Sequence, residues 1–279
     1  MQICCWGSRG QIPVSGPQFT KYGGDTTCIE VRSGNDDILI IDAGSGIRNL
    51  GAILLNEKKR KINLLFTHLH LDHIVGLPFF TPLYNSESHI HIYGCSFGDT
   101  SFQAALNGMM RPPYFPVDLK EVSSKISYSE IGDRPFRVGS IKISPVLLNH
   151  PNGGLGFKLE ENGVVFVFLT DNELGTEVAG SRPFSHYVKF CRGADLLVHD
   201  AEFKPEEYPG YKSWGHSTYS DAVRLAIEAE VKRLGLFHIN NQRSDEQVDA
   251  LVKEAKMLIA EGKENAECFA LASGFSIQL

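Results

Sequence analysis

The chain has 279 residues and sets 27 Lys and Arg against 33 Asp and Glu, a net charge of −6. That acidic balance argues against a dedicated nucleic-acid binder, which usually shows a basic excess, while leaving room for a local basic patch. Its 42% hydrophobic and 22% charged residues are those of a soluble globular protein with ample material for a core. No apolar run approaches a membrane span. The start, MQICCWGSRG, predicts no secretory signal. Cys4, Cys5, Cys28, Cys95, Cys191 and Cys268 form no Cys-x-x-Cys pair and sit mostly in apolar runs, so they are expected to be reduced core residues of a cytoplasmic protein.

In chain order, Gln2 to Trp6 reads as a strand, and Gly7 to Pro17 as a loop punctuated by Gly and Pro. Thr26 to Ser33 and Ile38 to Asp42 form a hairpin around Gly34-Asn35-Asp36-Asp37. Asp42-Ala43-Gly44-Ser45-Gly46 leads tightly into a helix over Ile47 to Asn56. Ile62 to Phe66 is a buried strand. A helix is expected to open over Ile74 to Tyr84. His89 to Tyr93 alternates, placing His89 and His91 on one solvated strand face. Phe97 to Met110 has helical character. Arg111-Pro112-Pro113-Tyr114-Phe115-Pro116 is barred from helix by its prolines, and is either a substrate wall or a rigid connection. Gly156 to Glu160 and Val164 to Thr170 pair around Glu161-Asn162-Gly163. Ala194 to Val198, Arg233 to Phe237 and Cys268 to Ala272 are further strands. Tyr219 to Glu230 and Ser244 to Ala260 are helices, with Ser244 as N-cap. Nothing resembles a linker or a repeat, so residues 1–279 read as one domain.

Directly after the Ile62–Phe66 strand stands Thr67-His68-Leu69-His70-Leu71-Asp72-His73. Three of the ten histidines and an aspartate fall within six residues. In a turn, His68 and His70 can converge on one centre, and Asp72 and His73 on a second. Imidazole and carboxylate suit Zn and similar divalent ions. The spacing is not the helical His-Glu-x-x-His pattern. Other ligating residues recur at the C-terminal ends of apolar strands: His150, Asp171, Asp200 and His238. Catalytic groups gather where strands of a rigid scaffold open into loops.

The His-x-His-x-Asp-His run after a strand resembles the signature of the metallo-β-lactamase fold. Gly7-Ser8-Arg9-Gly10-Gln11-Ile12-Pro13, His199-Asp200-Ala201 and Gly215-His216-Ser217-Thr218 resemble its phosphodiesterase branch, which holds ribonuclease Z and the cyclic-phosphate phosphodiesterases. The resemblance spans nearly the whole chain. It implies an α/β fold, an αββα sandwich of two mixed sheets flanked by helices. It implies two divalent metal ions, Zn²⁺ first, with Mn²⁺ or Fe as alternatives. His68, His70 and His150 would hold one ion; Asp72, His73 and His238 would hold the other; Asp171 would bridge them. Asp42 would orient metal-binding histidines.

The same resemblance implies hydrolysis by a metal-bridging hydroxide, with Asp72 able to pass a proton. Asp200 would orient His216, which would stabilise the transition state or protonate the leaving alkoxide. Ribonuclease Z carries glutamate where this chain has Asp200, and a long basic arm that this chain lacks. With the acidic charge, this favours a small phosphodiester, cyclic phosphates among the candidates, over tRNA. A ribonuclease Z-like RNA endonuclease, a lactone or thioester hydrolase and a non-catalytic metal sensor stay open as alternatives, as does a homodimer. Arg9, Lys21, Arg111 and Tyr114 are candidates for contacting a phosphate-bearing substrate.

Overall fold

The central strands are apolar at successive positions, so a strand such as Ile38–Ile41 or Val164–Leu169 has to be covered on both faces. The computed structural model, which describes residues 1–96, 98–176, 178–262 and 266–279, meets that demand with two stacked seven-stranded sheets and helices outside both. The first sheet has the order β14-β1-β2-β3-β4-β5-β6 and the second β13-β12-β11-β10-β9-β8-β7.

In the first sheet, β1 (Gln2–Gly7), β2 (Cys28–Arg32) and β3 (Ile38–Ile41) are antiparallel, with β14 (Ser276–Gln278) outside β1. From β3, the strands β4 (Lys61–Leu65), β5 (His89–Gly94) and β6 (Lys125–Glu130) continue in parallel. The second sheet repeats the plan. Strands β7 (Phe136–Val138), β8 (Ile141–Leu147), β9 (Leu155–Glu161) and β10 (Val164–Leu169) are antiparallel. Strands β11 (Leu196–Asp200), β12 (Arg233–Phe237) and β13 (Glu267–Ala270) then run parallel to β10.

Alternate residues of each strand feed different layers. Leu39 and Ile41 face Phe157, Phe166, Phe168 and Phe237 between the sheets. Ile38 and Ile40 lie on the outer face under α1 (Ile47–Asn56) and α3 (Phe102–Met109). Val167, Leu169, Leu197 and Leu236 lie under α4 (Phe184–Cys191), α5 (Tyr219–Glu228) and α6 (Asp245–Glu261). The result is the expected αββα sandwich. Capping boxes start the last two helices, Thr218 with Asp221 and Ser244 with Gln247.

The expected helix over Ile74 to Tyr84 is absent. A single turn, α2 (Leu71–Ile74), is followed by two 3₁₀ turns, Leu77–Phe79 and Thr81–Tyr84. Pro78 and Pro82 each lack the N–H that a continuing α-helix would need, and each sits at the start of its 3₁₀ turn. The helix expected from Phe97, a residue outside those described, begins at Phe102 with Ser101 as N-cap. All six cysteines are free, four of them buried.

Phe168 is fully buried between the sheets, with its ring 5.3 Å from Phe237 and 6.4 Å from Phe166. Phe168→Ala should lower unfolding free energy by about 3–5 kcal/mol, read as a reduced urea midpoint with an unchanged slope.

Candidate metal centre

The topology decides what meets at one edge. Strands β3 and β4 are parallel neighbours, so Asp42 and Thr67-His68 leave the first sheet side by side. Strands β10, β11 and β12 are parallel, so Asp171, Asp200 and His238 emerge together from the second. Strand β8 lies two antiparallel pairings from β10 and therefore runs its way, bringing His150 to the same edge. Three of these strand-end residues, Asp42, Asp171 and His238, have left-handed backbone, with φ of 61°, 51° and 52°. Non-glycine residues avoid that region, and it recurs at functional sites, where surrounding structure holds the strain.

All seven residues expected to ligate metal come together. Ligating atoms of His68, His70, His150 and Asp171 lie within 4.8 Å of one another, as do those of Asp72, His73, Asp171 and His238. Asp171 belongs to both groups. It also belongs to a third with Asp200, His216 and His238.

Hydrogen bonds decide which ring nitrogen faces inward. Thr67 Oγ1 donates to Asp42 Oδ2 at 2.7 Å and so accepts from His68 Nδ1 at 3.0 Å. His73 Nδ1 donates to Asp42 Oδ2 at 2.8 Å. His150 Nδ1 donates to the Gly215 carbonyl at 3.1 Å, and His238 Nδ1 to Glu202 Oε2 at 3.0 Å. With Nδ1 committed to an acceptor in each, Nε2 is the nitrogen left to serve as a metal ligand in the neutral ring. His70 offers the other nitrogen, its Nδ1 lying 3.0 Å from His150 Nε2. Gly215 closes this corner with φ of 89°; a Cβ there would lie 2.1 Å from His150 Nδ1.

The charges fall into two sets. Burial holds His68 and His70 below the ordinary imidazole range and pushes His150 down to about 4. Burial also pulls His73 and His238 down, but carboxylates outweigh it, Asp171 foremost, and both rise well above the ordinary range. Asp171 and Asp72 respond in kind: burial raises them, and His238 and His73 outweigh it and hold both well below the carboxylate range. The second group therefore calls for positive charge, and the first offers neutral imidazoles. The donors fit a divalent cation in type and in orientation. Buried His68 Nε2 and His73 Nε2 make no hydrogen bond within the protein and face the cluster.

Beside this cluster, His216 Nδ1 donates to Asp200 Oδ2 at 2.6 Å. Asp200 also accepts the backbone N–H groups of Asp171, Glu202 and Ser217 at 3.1–3.2 Å, which leaves the carboxylate no freedom to turn. Burial pulls the His216 imidazole down, Asp200 outweighs it, and the ring is raised above its ordinary range. It stacks on His238 with centroids 4.7 Å apart.

The proposed substrate contacts fare differently. Arg9 is fully buried, with its guanidinium on the carbonyls of Gly23, Asn240 and Arg243. Lys21 pairs with Asp249 of α6. Arg111 lines a cavity of about 360 Å³ with Gln103, Asn107, Asp118 and Lys120, none of them in the metal cluster. Tyr114 is 79% exposed, while Phe115 packs edge-on against Phe79. Glu202 was not among the residues singled out from sequence. It is buried on His238, and its only sequence signal was its place two residues after Asp200. A cleft of about 650 Å³ opens elsewhere, at the N-terminal ends of β3 to β6, and holds Lys58, Lys59, Arg60, Lys61 and Lys125. A cavity of about 190 Å³ adjoins the cluster, bounded by His68, His70, Cys95, Ser96, Phe102 and Asn152.

A family model described as a Beta-lactamase superfamily domain matches residues 38–239. The chain is 22% identical to "Ribonuclease Z" of Oceanobacillus iheyensis, covering 80% of this chain and 85% of the relative. Among solved structures it resembles the metallo-beta-lactamase fold protein YhfI from Bacillus subtilis, with a TM-score of 0.72 at 20% identity, covering 99% of this chain and 98% of that one. It also resembles a diphosphatase from the PhnP family, with a TM-score of 0.71 at 18% identity, covering 100% and 97%.

Asp42 accepts from Thr67 N, Thr67 Oγ1 and His73 Nδ1 while fully buried. Asp42→Ala leaves all three donors unpaired and should destabilise the fold by about 3–5 kcal/mol, the usual result of removing one member of a buried ionic pair. Urea unfolding in excess chelator measures this with metal taken out of the comparison.

Proposed function

We propose that this chain, which belongs to the β-lactamase superfamily and is a metal-dependent hydrolase acting on ester bonds, is a dinuclear phosphodiesterase for a small phosphodiester, cyclic phosphates included. Residues 1–279 act as one hydrolase domain. His68, His70 and His150 would hold one divalent ion, Asp72, His73 and His238 the other, and Asp171 both. Zinc is the first choice for this N/O donor set, which manganese and iron also tolerate. When bound, such ions supply Lewis-acid activation of water and of phosphoryl oxygens.

The observation that carries the reading is the junction between the Asp200–His216 pair and the ligand cluster. Asp200 fixes the His216 ring through Nδ1, so Nε2 is the atom left to meet substrate. His216 abuts His238 and His150, with ring centroids 4.7 and 5.3 Å away. A proton held at His216 Nε2 neutralises charge developing on the phosphoryl group or passes to the leaving alkoxide. Asp72, besides ligating, would take up a proton from water. Lactones and thioesters leave such a pair with less to do.

A small substrate is supported by two features. The cavity beside His68 and His70, about 190 Å³, is smaller than the roughly 300–1,000 Å³ of pockets for drug-sized ligands. The basic run Lys58–Lys61 lies at the far end of β4 from His68, so it forms no strip leading into the cluster. The second reading, an RNA-processing endonuclease, is favoured by the ribonuclease names of relatives such as that of O. iheyensis. Among the described residues no helix is long and apolar enough to cross a membrane, and all six cysteines are free, which supports a reducing, cytoplasmic setting.

His216→Ala should keep its metal content and lose roughly 10²–10⁴-fold in turnover of bis-p-nitrophenyl phosphate. Asp200→Asn should lose in the same direction, and Asp72→Ala should lose metal along with rate. A wild-type rate in His216→Ala refutes the role of the pair. Metallated protein that cleaves lactones or thioesters well and phosphodiesters not at all refutes the substrate class, and preference for an RNA with a 3′ extension over cyclic nucleotides moves the assignment to the second reading.

A further inference from the structure

The loop Gly7-Ser8-Arg9-Gly10-Gln11 is far in sequence from every residue of the cluster, and none of its side chains is a metal donor in the reading above. Its hydrogen bonds lead there nonetheless. Gly10 N–H donates to the Ile239 carbonyl at 3.0 Å, and Ile239 N–H to the Ser8 carbonyl at 2.9 Å, so the loop is stitched to the residue after His238. The buried Arg9 guanidinium ties the same loop to the Arg243 carbonyl at 2.7 Å. At Gly10 the chain passes directly over the His238 ring: a Cβ there would lie 2.2 Å from Cε1 and 2.3 Å from Nδ1.

What the loop delivers is Gln11. Its backbone N–H donates to Asp72 Oδ2 at 2.8 Å, and its side-chain Nε2 donates to Glu202 Oε1 at 2.6 Å. Glu202 is fully buried, accepts from Asn240 Nδ2 at 2.7 Å as well, and takes the Nδ1 proton of His238 at 3.0 Å. His238 Nε2 lies 3.1 Å from Asp72 Oδ2. Gln11, Asp72, His238 and Glu202 thus form a closed ring drawn from four distant segments.

We propose that Gln11 and Glu202 are positioning residues for the second metal ion, and that the Gly7–Gln11 loop is the brace that holds them. The inference rests on the two-ion reading. Glu202 fixes the orientation of His238 and makes its Nε2 more basic, as Asp42 does for His73. Gln11 joins Glu202 to the carboxylate of Asp72, so the two ligands are set relative to each other.

The test is zinc affinity, measured by competition with a chromogenic chelator, on wild-type protein, Glu202→Gln and Gln11→Gly. Glycine at 11 suits the left-handed φ of 68° and keeps the backbone N–H. The wild type is expected to bind two equivalents. Glu202→Gln should weaken one of them about 10–100-fold and leave the other within about twofold; Gln11→Gly should weaken that same one by less. Equal weakening of both equivalents, or wild-type affinity at both, overturns the brace. Should Glu202→Gln fail to fold by circular dichroism, Gln11→Gly decides alone: loss at one equivalent supports the brace, and no loss overturns it. Fewer than two equivalents in the wild type overturns the two-ion reading itself, and the brace with it.

Discussion

One buried carboxylate, Asp171, faces five imidazoles. Its oxygens lie 3.2 Å from His73, 3.4 Å from His238, 3.7 Å from His150, 3.8 Å from His68 and 4.0 Å from His216. At an effective dielectric constant near 20, a unit charge pair 4 Å apart is worth about 4 kcal/mol. One carboxylate can therefore overcome the desolvation of a neighbouring ring, though not of five at once. His73 and His238, which have further carboxylates beside them, are pulled towards positive charge, while His68 and His150 stay depressed. The division between two clusters is thus electrostatic as well as geometric.

The fold serves this carboxylate by direction of travel. Each sheet changes from antiparallel to parallel at its middle, and the parallel halves send their C-terminal ends to a common edge. Side chains that belong to β3, β4, β8, β10, β11 and β12 or the residues just after them can then meet with no long loop to position them. Elements in sheets are rigid, and rigidity is what holds unlike charges and bare ring nitrogens at fixed separation against solvation.

How much of this could be read from the residues alone depended on sequence range. His68, His70, Asp72 and His73 lie within six positions, and their pattern needs no knowledge of the fold. His150, Asp171, Asp200, His216 and His238 were found because each ends an apolar run or stands in a motif that resembles a family. Gln11 stood inside the Gly7–Pro13 motif with no role of its own, and Glu202 only followed the His199-Asp200-Ala201 motif; their contact forms only when segments about 190 positions apart meet. Arg9 misled for a related reason. An arginine in a loop reads as a surface cation, and only the closure of β12 onto that loop buries it. Strand β6 escaped notice because Lys125–Glu130 is polar at alternate positions and lies at the sheet edge, and α4 because its eight residues show little beyond a short apolar face.

The backbone of Asp42, Asp171 and His238 is left-handed. For an L-residue that conformation costs about 1–2 kcal/mol, which glycine would not incur. At Asp42, glycine would relieve that strain and still cost stability, because Thr67 and His73 would be left with buried donors and no acceptor, a loss of about 3–5 kcal/mol. Backbone ease and side-chain hydrogen bonding pull in opposite directions at this strand end, and the larger of the two keeps a strained aspartate in place.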